Sequence, residues 1–328
     1  MKRKPLLSVV AAALGVLMLG LDGAAIAQAY PSKPIRLIVP FAPGGPNDIL
    51  GRLIAQKLNE LWGQPVIVEN RGGAGGTVGL GAAAKLPGDG YHLAMGGSST
   101  MAVAPSLYRK LAYDPLKDFT PIGLLAHVPY GLGVNPVVPA KTVKELIAIA
   151  RKKPGYLSYA SSGVGSMSAL AAELLKSVSN TQIVHVPYRG TAPALTDVVS
   201  GQVDMMLADL ALIQRHAEAG KLRVIAVTGS KRAPAAPKVP TISESGLKGY
   251  VIEPWFGVVA PAGVPEDIVE KLNRAIADSL RAADVQQRLN ALGYEPIGGN
   301  ADDFARTIKA DIAKYAAVVK KAGISGSL

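Results

Sequence analysis

The chain has 328 residues, with 35 lysines and arginines against 24 acidic residues and a formal charge of +11. It has no cysteine, which excludes disulfides, thiolate zinc sites and thiol nucleophiles. Aromatic residues are only 5% and the basic residues are scattered, so the positive balance favours a small anion over nucleic acid, with plain solubilising charge as the bland alternative.

The first stretch reads as an address. "MKRK" is a basic start, Leu6 to Leu21 is apolar but diluted by Ser8, Gly15 and Gly20, and "AIAQA" offers small residues at Ala27 and Ala29. Residues 1–29 are expected to be a signal peptide cleaved after Ala29, leaving an exported, periplasmic chain. A retained membrane anchor would want a longer apolar run, about 20 residues. The remaining length suits two ordinary domains.

Strand-like and helix-like segments then alternate. "IRLIVP" (35–40) precedes a helix from Asp48 to about Leu61, and "PVIVEN" precedes a glycine-rich turn and a short helix around "VGLGAAAKL". "PGDG" leads into the strand "YHLAMGG", and "TVKELIAIARKK" opens on a Thr142/Glu145 capping box. There follow the strand "YLSYA", a helix from Ser166, the strand "QIVHVPY", a helix from Pro193, and the strands "VDMMLAD" and "LRVIAVT". This rhythm predicts an α/β fold with parallel sheets covered on both faces. Two longer apolar runs, 122–136 and 250–263, are expected to cross between two lobes. Residues 30–127 with 254–328 would form lobe 1, and 128–253 lobe 2. Helices fill the C-terminal tail, the first with Pro265 at N1. The proline-rich "KRAPAAPKVPTISES" reads as a connector.

Enzyme signatures are missing from the sequence. There is neither a phosphate-loop G-x-x-x-x-G-K-[ST] nor a G-x-S-x-G elbow. His92, His127, His185 and His216 stand apart, without metal-ligand spacing. "VIVENRGGAGGTVG" departs from the dinucleotide fingerprint and has no acidic residue after the next strand, so it reads as a structural turn. No cofactor and no metal are expected.

Four neutral turns remain, each at the end of an expected strand. They are "PGGPND" (43–48), "GGSST" (96–100), "SSGVGSMS" (161–168) and "YRGTAP" (188–193). Glycines and small hydroxyls at helix starts leave N–H groups free to hold a carboxylate without an arginine. Asp48 is expected to cap the first helix, and the fourth turn to place Pro193 at N1.

From "YPSKPIRLIVPFAPGGPNDILGRLIAQKL" through "GQPVIVENRGGAGGTVG", "PGDGYHLAMGGSST", "VPYRGTAPALTDVVSGQVD" and "WFGVVAPAGVP", the chain resembles the extracytoplasmic solute receptors of the tripartite tricarboxylate transporter family, the Bug receptors. The resemblance implies a two-lobed, type II-like periplasmic binding fold with two crossover strands. It implies a monomer that closes on a small carboxylate without catalysis and serves membrane permease subunits. Carried over residue by residue, the ligand would meet Gly44, Gly45 and Asn47, then Ser98, Ser99 and Thr100. In the second lobe it would meet Ser162, Gly165, Ser166 and Met167, with Tyr188 at the rim. Two positions depart from the family pattern: Ala169 stands where a histidine is frequent, and Ala208-Asp209 replaces an Asp-Asn pair. Asp209 is a candidate partner for a ligand ammonium group, or else a helix cap before "LALIQRHAEAG". Two rivals stay open: an exported enzyme, for which Asp48, Asp209 or His185 would have to turn inward, and a receptor feeding a sensor protein.

Overall fold

A computed structural model describes residues 30–328; the expected signal peptide lies outside the described residues. In chain order the elements begin with β1 (Ile35–Val39), α1 (Pro46–Trp62), β2 (Val66–Asn70), α2 (Thr77–Ala83) and β3 (His92–Gly97). A π-helical turn, Ser98–Val103, leads into α3 (Ala104–Leu107), β4 (Phe119–His127), β5 (Tyr130–Val134), α4 (Val143–Lys152) and β6 (Ser158–Ser161). Next come α5 (Met167–Ser179), β7 (Val184–Pro187), α6 (Thr191–Ser200), β8 (Met205–Asp209), α7 (Leu210–Glu218) and β9 (Arg223–Val227). The chain finishes with β10 (Trp255–Pro261), α8 (Glu266–Arg281), α9 (Ala283–Ala291), β11 (Glu295–Pro296) and α10 (Ala301–Lys321).

Two sheets organise these strands. The first has the order β11-β4-β10-β3-β1-β2, and the second β7-β6-β8-β5-β9. The apolar runs and the helices between them give the parallel pairs β1–β2, β1–β3, β6–β7 and β6–β8. The expectation of parallel sheets holds only in part. β10 enters between β3 and β4 antiparallel to both, and β5 runs antiparallel to β8 and β9.

The run 122–136 is not one long strand. It breaks at Val128–Pro129 into β4 of the first sheet and β5 of the second. The run 250–263 becomes a strand only at Trp255. These two passages between the sheets lie side by side, with the Val128 N–H donating to the Pro254 carbonyl at 3.0 Å.

The C-terminal helix α10 is pinned across β10. Phe304 packs edge-on against Trp255, with ring centroids 5.4 Å apart, and the Trp255 indole N–H donates to Asp311 at 2.6 Å. Position 257 must be glycine for this packing, because a Cβ there would sit 2.5 Å from the Phe304 ring. The Thr142/Glu145 capping box forms as expected, Glu145 N–H to Thr142 Oγ1 at 3.2 Å and Thr142 N–H to Glu145 at 3.1 Å. Two helix starts shift from expectation. Pro265 is the N-cap of α8 rather than its first residue, and α6 starts at Thr191 with Gly190 at its N-cap, two residues before Pro193.

Candidate binding site

All four neutral turns stand at the carboxyl ends of strands: β1, β3, β6 and β7. Gly45 and Asn47 from the first, Ser98 and Ser99 from the second, Ser162 and Met167 beside the third, and Thr191 from the fourth line one pocket. Turns from both sheets therefore converge, and the cavity among them is about 20 Å³, room for about one water molecule.

The first turn is built on α1. Gly45 is the N-cap and Pro46 occupies N1, where a missing N–H is harmless. Asp48 is therefore not the cap itself. It sits at N3, where its carboxylate accepts the Gly44 N–H at 3.0 Å, the Arg52 guanidinium at 3.0 Å and the Asn70 amide at 2.9 Å. Burial pushes this carboxyl up, but Arg52, the Gly44 N–H and Asn70 outweigh it and hold Asp48 below the usual carboxylate range. Asp48 thus fixes the turn, and the Gly44 amide is spent on Asp48.

Asn47 differs from its neighbours. It is 6% exposed, and its Oδ1 is buried without a hydrogen-bond partner. A buried amide in that condition costs free energy unless something meets it. Turned over about its Cβ–Cγ bond, the same amide offers an N–H donor to an anion.

In the second turn, Ser98 Oγ accepts the Trp255 N–H at 2.8 Å and faces the Trp255 carbonyl at 3.3 Å. Thr100 does not line the pocket. Its Oγ1 accepts the Gly97 N–H at 3.2 Å, and its carbonyl accepts the Tyr113 hydroxyl at 2.7 Å.

The third turn is knitted together by serines. Ser166 caps α5, its Oγ accepting the Ala169 N–H at 3.2 Å. Ser168 Oγ lies 2.9 Å from Ser166 Oγ and 3.0 Å from Ser162 Oγ, and it accepts the Ser162 N–H at 2.9 Å. Gly165 faces Tyr108 instead of the pocket. Ser166 and Gly165 shape the turn, whereas Ser162 and Met167 reach the cavity.

Tyr188 is not at the rim of this pocket. Its hydroxyl donates to Asp197 at 2.5 Å along α6, and its ring joins the apolar cluster of the second sheet. The fourth turn is represented by Thr191 instead. Asp209 is also elsewhere: it caps α7 through the Ala211 N–H at 2.9 Å and accepts the Tyr294 hydroxyl. With both oxygens engaged inside the protein, it is not placed to meet a ligand ammonium group.

Sequence reasoning missed the aromatic wall, made by Phe41, Tyr130, Trp255 and Phe256 with Pro254. Tyr130 and Trp255 follow the two passages between sheets, and only the antiparallel insertion of β10 brings them to the strand-end turns.

Among the described residues no aspartate, glutamate, histidine, lysine or arginine lines the pocket. Tyr130 is its one titratable side chain, and burial pushes that phenol well above its ordinary range. A serine–histidine pair exists away from it, Ser161 Oγ to His185 Nε2 at 2.6 Å. Ser161 is fully buried, and the nearby Glu173 accepts from Tyr159 and Lys176. Among the described residues no cluster of three metal-ligating side chains occurs, and no helix is long and apolar enough to cross a membrane.

A larger cavity of about 240 Å³ lies at the passages between the sheets, lined by His127, Lys231, Glu253 and Glu295 among others. None of the four strand-end turns reaches it. Elsewhere the two halves meet backbone to backbone: a Cβ at Gly75 (φ +63°) would sit 2.6 Å from the Gly165 carbonyl carbon and 2.7 Å from the Val164 oxygen. Beside that contact the Tyr108 hydroxyl donates to the Ala74 carbonyl at 2.7 Å.

Two α/β sheets joined by paired passages, with neutral strand-end turns converging between them, define a two-lobed solute-binding fold. The chain belongs to the family described as tripartite tricarboxylate transporter family receptor, whose pattern matches residues 50–324. Receptors of this family are periplasmic solute-binding proteins. Protein BugT of Bordetella pertussis is 36% identical over 305 residues, 93% of this chain and 94% of that protein. A solved R. palustris protein with adipate superposes with a TM-score of 0.87 at 40% identity, covering 90% of this chain and 99% of that one. MatC from Rhodopseudomonas palustris with bound malate gives 0.85 at 36% identity, covering 88% and 100%.

Proposed function

We propose that this chain is an exported receptor that binds a small carboxylate between two lobes and passes it on chemically unchanged. Lobe 1 comprises residues 30–127 and 254–328, lobe 2 residues 128–253, and the signal peptide is removed after Ala29. The observation that carries the reading is the neutral pocket itself, with strand-end turns from both sheets and Asn47, whose Oδ1 is buried without a partner, at its wall. Helix-start amides and hydroxyls suit an anion, and the relatives holding adipate and malate point to a carboxylate.

The cavity is too small for an organic acid to enter without the two sets of turns separating. Binding therefore proceeds by opening, docking of the carboxylate on the first-sheet turns, and closure of the Ser162 turn over it. With no carboxylate, imidazole or amine among the residues that line it, the pocket suits holding the molecule and releasing it unchanged. The receptor acts as a monomer and delivers its ligand to permease subunits of a tripartite tricarboxylate transporter.

The test is a titration of purified protein, stripped by unfolding and refolding, with adipate, malate and a wider set of carboxylates, followed by tryptophan fluorescence and melting temperature. A saturable signal with the ligand recovered intact by mass spectrometry is expected. No response to any carboxylate, or conversion of the ligand, would sink the proposal.

A further inference from the structure

Asp209 and Tyr294 belong to different sheets. Asp209 ends β8 inside the second sheet and caps α7, while Tyr294 stands immediately before β11 at the edge of the first. The Tyr294 hydroxyl donates to the Asp209 carboxylate, and the two residues are 2% and 1% exposed. Two more groups act on the carboxylate electrostatically: Tyr130, opposite Asp209 in the β5–β8 register, and Arg215 on α7. Tyr130 also lines the candidate pocket.

We propose that Asp209 and Tyr294 are positioning residues for ligand binding, their hydrogen bond setting the angle at which the two sheets present their turns to one another. The proposal rests on the receptor reading above. A hydroxyl-to-carboxylate bond is charge-assisted and directional, so it discriminates between arrangements more sharply than apolar contact does. Inside the protein a carboxylate deprived of a donor is costly, which penalises arrangements that separate the pair. Any rotation of Asp209 also moves its strand partner Tyr130, and with it the pocket wall.

The natural chain has no cysteine, so two introduced thiols take spin labels uniquely. Lys85→Cys and Lys144→Cys place them at exposed positions beside the first and second sheets. Electron-spin distance measurements on the full chain then read the separation directly, without ligand. The unmodified pair gives one dominant distance. Tyr294→Phe and Asp209→Ala broaden and displace it, and each weakens adipate binding by about tenfold. Asp209→Asn keeps an acceptor oxygen in place and restores the original distribution.

Identical distributions in all these chains, each still melting cooperatively, would overturn the proposal. So would failure of Asp209→Asn to restore the distance, or loss of folding in all three variants, which would make the pair part of the core only. If distances shift as expected but adipate, malate and the wider carboxylate set leave the natural chain unmoved, the receptor reading fails and the tie between sheets stands.

Discussion

Ser98 and Trp255 hold each other through one atom: the serine Oγ accepts the Trp255 N–H at 2.8 Å and lies 3.3 Å from the Trp255 carbonyl. A side chain at the end of β3 thereby takes the place of a ladder bond at the start of β10. Both residues line the pocket, so one hydroxyl sets the distance between a turn and the aromatic wall.

Ser98→Ala should leave the buried Trp255 N–H without its acceptor, at a cost of about 1–3 kcal/mol in urea unfolding. Tryptophan emission of the folded protein should shift as well. Wild-type stability with an unchanged spectrum would contradict the role given to Ser98.

Asn47 should behave in the opposite way. Because its Oδ1 is buried without a partner, Asn47→Leu should keep or raise the melting temperature of the free protein. The same change should weaken carboxylate binding at least about tenfold. Tight binding by the variant would show that the amide never meets the ligand.

Acid should loosen the first turn. Asp48 is held below its ordinary range, so its contribution to stability is present above the unfolded pKa and fades as the pH falls through the folded one. Asp48→Asn should therefore lose stability at neutral pH and narrow its gap to wild type on acidification below about pH 4. Chemical denaturation at several pH values reads this gap.

Asp209 has the contrary sign. Burial pushes its carboxyl up to about 6, against the opposing Tyr294 bond and the Ala211 and Leu212 N–H groups. A raised folded pKa gives stability that is complete below about pH 4 and lost as pH rises through about 6. The melting temperature of Asp209→Asn relative to wild type should thus climb between about pH 4 and 7, by an amount equivalent to about 2–3 kcal/mol. A constant difference across that window would show that Asp209 does not titrate there.

Local signals reached the strands, the capping box and the four turns, because each is written in neighbouring residues. "IRLIV" reads as a buried strand, and Thr142 with Glu145 as a helix start, before any contact is known. Which side chains of a turn reach the pocket was less legible. Gly44, Thr100, Gly165, Ser166, Tyr188 and Asp209 looked available in sequence, yet the fold engages them with Asp48, Gly97, Tyr108, Ala169, Asp197 and Tyr294. The wall of Phe41, Tyr130, Trp255 and Phe256 was hidden for another reason. β10 joins β3 and β4 across more than a hundred residues, and no short window carries that pairing.

The meeting of Gly75 with Gly165 gives the proposed closing motion a mechanical stop. Without a solute, peptide planes end the swing, since two main chains cannot approach further. A solute shorter than the remaining gap gains no extra hold from a tighter swing, and a longer one props the halves apart before the stop is reached. The gap at that point works as a gauge. Its setting belongs to the missing side chain at position 75, not to any group that would touch the cargo.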